Sequence, residues 1–147
     1  MRFARNNRRR GQTLVEFALI LPIFLLMMLG ILDLGRAVYA YHTINNAARE
    51  AVRVAIVDQN TTVIQDEAVQ QSVGLGVSTG DVDVTFLDGS YANTAPCNAT
   101  PRMGCVAEIE VAYTYRAVTP IIGQIVGEIQ MIGSTRQPIE RTYESAP

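Results

Sequence analysis

The chain has no lysine, a single histidine (His42) and two cysteines, Cys97 and Cys105. With seven residues between the cysteines and no Cys/His cluster, the spacings of structural zinc sites are absent. There is no nucleophile elbow, phosphate-binding Walker loop, dinucleotide fingerprint or H-E-x-x-H. Asp81, Asp83 and Asp88 do not have the spacing of an EF-hand loop. The sequence therefore supports no enzyme reading, no catalytic residues, no cofactor and no metal site. His42 lies beside Tyr41 and Thr43 and reads as a solvated or interfacial side chain. Glu108 and Glu110 read as the solvated face of a strand rather than as an acid/base pair.

Charge is missing from two stretches. No acid occurs in the first ten residues, which hold Arg2, Arg5, Arg8, Arg9 and Arg10. All twelve basic residues of the chain are arginine, so the remaining 137 residues carry seven Arg against fourteen Asp plus Glu, a formal −7. A basic tip on an acidic body suggests either a nucleic-acid arm or a membrane-topology signal. The second uncharged stretch decides between them. Phe17 to Leu32 is sixteen residues without a charge, and Leu14 and Val15 extend the run across Glu16. Nineteen helical residues rise about 28 Å, close to the hydrocarbon thickness of a bilayer. Basic residues before such a run place the N-terminus in the cytoplasm and the body outside. The reading is a single-pass protein of the cytoplasmic membrane, with no nucleic-acid partner.

A conventional secretory signal also has a basic start and an apolar core. No A-x-A follows this core, although Val38-Tyr39-Ala40 is a tolerable substitute. Glu16 sharpens the alternatives, because an ionisable group within a membrane segment costs energy and marks function. It can snorkel at the interface. If the chain is cut after Gly11, however, Gln12 gains an α-amino group. Glu16, four residues on, can then pair with that cation or with the cation of a neighbouring subunit. Pro22 removes a backbone donor within the run and is expected to kink or loosen the helix.

RRRGQTLVEFALILPIFLLMMLGILDLGRAVYAYHTINNAAREAVRVA resembles the N-terminus of TadE-like pseudopilins of the tight-adherence (Flp-type) pilus system. The resemblance is carried by the basic leader ending at Gly11, by Glu16-Phe17 and Pro22, by Asp33-Leu34-Gly35-Arg36, and by the segment from Asn46 to Arg53. It implies cleavage between Gly11 and Gln12 by a prepilin peptidase and a role for Glu16, with Phe17, in processing or assembly. It also implies a minor structural subunit that oligomerises with other pilin-like subunits and the assembly machinery, in a surface filament or its secretion-type machine. Gln12 departs from the aromatic or apolar first residue of major type IV pilins, which puts N-methylation in question. Glu16-Phe17 replaces the Glu-Tyr of major Flp pilins, which favours a pseudopilin. The alternative is an unprocessed single-pass anchor whose extracytoplasmic head binds or assembles with a partner.

The expected organisation is a leader over residues 1–11, a transmembrane helix over 12–33 and an extracytoplasmic head over 34–147. Leu34, Val38, Tyr41, Ile44, Ala48, Val52 and Ala55 recur at helical steps, so the helix should continue to about residue 57 and cover a sheet. Thr62 to Gln65 resembles a capping box opening a second helix to about Val73. Alternation predicts strands at Val82–Phe86, at Ala107–Ala117 and near Ile129–Thr135, placing the sheet within residues 81–136. TPIIGQIVGE reads as a loop or a short helix. The fold class is α+β: one long helix, one short helix and a small antiparallel sheet of about three strands. Cys97 and Cys105 flank a polar connection and are expected to form a disulfide in an oxidising compartment.

Overall fold

The computed structural model describes residues 7–89, 95–97 and 103–142. Residues 1–6 of the expected leader lie outside them. Helix α1, Asn7–Ala55, has 49 residues and a length of about 73 Å. It continues through Pro22. A turn at 56–57 leads to α2, Thr61–Gln71. A short 3₁₀ turn at Thr79–Asp81 precedes β1, Val82–Asp88. Strand β2, Cys105–Arg116, helix α3, Pro120–Val126, and strand β3, Glu128–Pro138, complete the described order. The ambiguous apolar segment between β2 and β3 is thus a helix, started by Pro120 in its first turn.

The sheet has the order β1-β2-β3, antiparallel throughout. Its register places Val82, Val84 and Phe86 opposite Val111, Ile109 and Ala107, and sets Gly133 and Met131 opposite Val111 and Tyr113. These residues form or adjoin the face that packs on α1 and α2. The other face is polar and paired across strands. Arg136 donates to Glu108 at 2.6 Å, and Arg116 pairs with Glu128 at 2.7 Å. Glu108 is only 8% exposed, so its assignment to a solvated face is corrected. A carboxylate at that depth is tolerated because the guanidinium opposite it compensates the lost hydration.

The helical face that covers the sheet is also corrected. From Ile44 outward the expected face holds, with Ile44, Ala48, Val52 and Ala55 buried. Before Ile44 it does not, since Leu34, Val38 and Tyr41 are exposed and the buried positions are Asp33 and Ala40. Alanine is a weak hydrophobic signal, yet Ala40, Ala47, Ala48, Ala51 and Ala55 are what allow the helix axis to approach the sheet. The approach is tight at Gly133, where a β-carbon would stand 2.8 Å from the backbone carbon and oxygen of Ile44.

The α1–α2 turn differs in one detail. Asn60 caps α2, its side-chain oxygen accepting from the Thr62 amide at 3.1 Å and the Thr62 hydroxyl at 2.7 Å. Thr62 therefore lies inside the helix and does not cap it. Beyond β3, the backbone amides of Glu140 and Arg141 donate to Ile56 O, and the Gln59 side-chain Nε2 donates to Arg141 O, so the chain after the sheet is fastened to the end of α1.

Cys97 and Cys105 form a disulfide, with α-carbons 6.0 Å apart. Cys97 also donates its backbone N–H to Phe86 O, and Asp88 donates to Ala95 O. Residues 95–97 thereby run along the outer edge of β1. Replacing Cys97 by serine should remove about 2–3 kcal/mol from the head. The expected readout is a lower urea midpoint than wild type under non-reducing conditions, with the two proteins alike after reduction.

Candidate processing and assembly site

The residues expected to carry processing and assembly lie on the first three turns of α1. Gly11, Gln12, Glu16 and Phe17 are all helical and exposed. Gln12 and Glu16, four residues apart, share one face with Val15 and Leu19, and together with Gly11 they line a shallow surface groove. Glu16 has no ion-pair partner among the described residues. The structure thus brings the proposed cut and the carboxylate together on one side of the helix. Pro22 lies a further turn and a half along, outside that groove.

The next part of α1 is apolar on every side. Fifteen large apolar residues between Leu14 and Leu32 are exposed. At ~2 kcal/mol each, exposing them to water would cost on the order of 30 kcal/mol, more than the 5–15 kcal/mol that stabilises a typical domain. The helix needs an apolar surrounding that the head does not supply. It is long and apolar enough to cross a membrane, with a mean hydropathy of 2.6 over its best window.

Asp33 marks where the stem meets the head. Its two carboxylate oxygens accept from successive backbone amides, Val118 at 3.0 Å and Thr119 at 2.9 Å. The Tyr115 hydroxyl donates to Asp33 O at 2.7 Å. Burial, and then the negative charge of Asp33, push the Tyr115 phenol above its ordinary pKa. Arg36 stands 3.9 Å from Asp33 but is largely exposed, so it adds little. Asp33 belongs to the sequence pattern that carries the family resemblance, but that pattern assigns it no task. The available signal was its position, the first charge after sixteen uncharged residues.

This clamp has a direct consequence. In Asp33→Ala, hydrogen exchange at the Val118 and Thr119 amides should lose its protection. Asp33→Asn, which keeps one acceptor oxygen, should fall between the two. Unchanged protection in the alanine variant would show that the carboxylate does not hold the loop.

The remaining polar candidates stay apart from the stem. Exposed His42 meets Tyr41 edge to face at 5.9 Å. Asp81 accepts from the Ser78 hydroxyl and amide, which lowers its pKa below the ordinary carboxylate value. It closes the 3₁₀ turn. Among the described residues no group of His, Cys, Asp or Glu is placed to hold a metal ion.

Comparison with known families meets this helix and little else. Residues 11–53 match the family model described as TadE-like protein. Over that stretch the chain is similar to TadE-like proteins. The matched segment begins at the proposed cut and includes Glu16, Pro22 and Asp33, and it ends nearly three turns into the part of α1 that packs on the sheet from Ile44 onward. The apolar half of α1 within this match is long and apolar enough for a membrane anchor. No curated protein and no solved structure matches the chain.

Proposed function

We propose that the protein is a pilin-like minor subunit of a tight-adherence pilus or a related secretion filament. A prepilin peptidase cuts it between Gly11 and Gln12, and it assembles with other subunits through α1. The observation that carries this reading is the exposed apolar stem of α1, with Glu16 one turn from Gln12 on the same face. Within a bundle of such stems, a carboxylate in apolar surroundings is stable only beside a cation. The new α-amino group of Gln12, on the same or a neighbouring subunit, supplies one. The basic leader stays on the cytoplasmic side, the span lies in the inner membrane, and the head stands outside it.

Replacing Glu16 by leucine tests the role of the carboxylate. Glu16 is exposed and has no ion-pair partner among the described residues, so the head should fold as in wild type. Co-isolation with pilus components should be lost, or the leader should be retained. A Glu16→Leu protein that is processed and assembles as wild type would overturn the reading. It would favour an unprocessed anchor that displays a binding head, because such an anchor has no use for the carboxylate.

A further inference from the structure

The connection between β2 and β3 reads AVTPIIGQIVG, residues 117–127, without a charge. The Arg116–Glu128 ion pair closes it at its base. Much of its apolar surface is not part of the core: Val118, Ile125 and Val126 are 66%, 79% and 50% exposed. Scattered exposed apolar residues are ordinary, but a cluster of them marks a contact surface.

Position decides what the cluster contacts. The Asp33 carboxylate holds the Val118 and Thr119 amides, so the segment starts level with the first residue beyond the apolar run. Ile122 then reaches back toward the stem, its Cδ1 3.4 Å from where a β-carbon on Gly30 would stand. Gly30 lies three residues before Asp33, about 4.5 Å along the axis inside the apolar run. Ile125 and Val126 are one turn further along α3 and straddle the direction of Ile122. The face that touches the stem at Gly30 therefore continues one turn past it, exposed.

We propose that α3 is a second membrane contact, an interfacial helix whose Ile125–Val126 edge sits in the leaflet surrounding Gly30 to Leu32. The occupant is the lipid bilayer, because the patch is continuous with the stem through Ile122, which meets it at Gly30 inside the apolar run. Short apolar surfaces held at the headgroup boundary gain affinity from buried area alone, and the charged pair at the base of the segment keeps the rest of the head in water. Attachment at two points, the stem and α3, fixes the tilt of the head over the membrane. This inference rests on the membrane-inserted reading of α1.

The chain contains no tryptophan, so single-tryptophan variants report cleanly. Met28→Trp probes the stem, Ile125→Trp probes α3, and Val63→Trp on α2 is the control in the head. Each full-length variant is reconstituted in phosphatidylcholine vesicles with or without brominated acyl chains, and its fold is checked by far-ultraviolet circular dichroism. Val126→Trp replaces the α3 probe if Ile125→Trp does not fold. The expected result is blue-shifted emission, with a large loss of intensity in brominated lipid, for the Met28 and Ile125 variants and not for the Val63 variant. Quenching at position 28 without quenching at 125 would overturn the inference while leaving the stem intact. No quenching at either position would overturn the membrane reading itself. Blue-shifted emission at 125 that bromine does not quench, and that reverts when the protein is diluted in lipid, would assign the patch to a second copy and overturn the lipid contact.

Discussion

Gly133→Val will unfold the head, and Gly133→Ala will cost about 1–3 kcal/mol, the usual range for forcing a methyl into a filled site. The contacts that a β-carbon would make are backbone atoms, the carbon and oxygen of Ile44 at 2.8 Å and the nitrogen of Asn45 at 2.9 Å. No rotamer change can relieve them. Relief requires α1 to lift from β3, and α1 brings Ala47, Ala48, Ala51 and Val52 with it. These are buried against the cluster that contains Ile109 and Val111, so lifting the helix opens gaps along several turns at once. Valine adds two methyl groups to the same collision. Gly35→Ala is the natural control. It lies on α1 with nothing within 4 Å of its β-carbon position, and alanine in a helix interior is favoured over glycine by up to ~1 kcal/mol. Urea unfolding in detergent micelles should therefore move in opposite directions for the two variants. Equal stability of Gly133→Ala and wild type would show that α1 does not seat on the sheet at Ile44 as described.

Gly11→Leu should abolish leader removal and leave the fold untouched. A β-carbon at Gly11 would meet nothing within 4 Å, so no packing demands glycine there. Glycine is a poor helix residue, and leucine strengthens the helix locally. The variant therefore separates a demand made by a peptidase from any demand made by the structure. The expected outcome is a membrane-bound protein that keeps its arginine-rich leader and has the circular dichroism of wild type. Normal removal of the leader from this variant would mean that position 11 is not read.

The parts legible in the sequence were those with strong periodic or absolute signals. The apolar run is continuous, and the alternation from Ala107 to Ala117 overlaps β2, Cys105–Arg116, at all but its ends, so the long helix and the central strand were evident. The cysteine pair was legible from its placement on either side of a polar connection. The phase of α1 between Asp33 and Ala40 was not, because the buried stripe there consists of an aspartate and an alanine, while Leu34, Val38 and Tyr41 offered stronger but misleading hydrophobicity. Glu108 was misassigned for a related reason. Its partner Arg136 is 28 residues away, and only the strand register brings them together. Gly133 carried no sequence signal at all, since its role depends on where a helix far earlier in the chain crosses the sheet. For the candidate site, Gly11, Gln12 and Glu16 were proposed from the sequence alone, and the structure adds that they share one side of α1. The clamp from Asp33 to the Val118 and Thr119 amides required the fold.

The most direct measurement is the N-terminal sequence of the wild-type chain recovered from the membrane of a cell that carries a prepilin peptidase. A chain beginning at Gln12 is the expected result. It would mean that the leader is removed at the cytoplasmic edge of the apolar run and that α1 is retained from Gln12 to Ala55. A chain that still begins at Met1, or one that begins near Tyr41 after loss of the entire run, would contradict it.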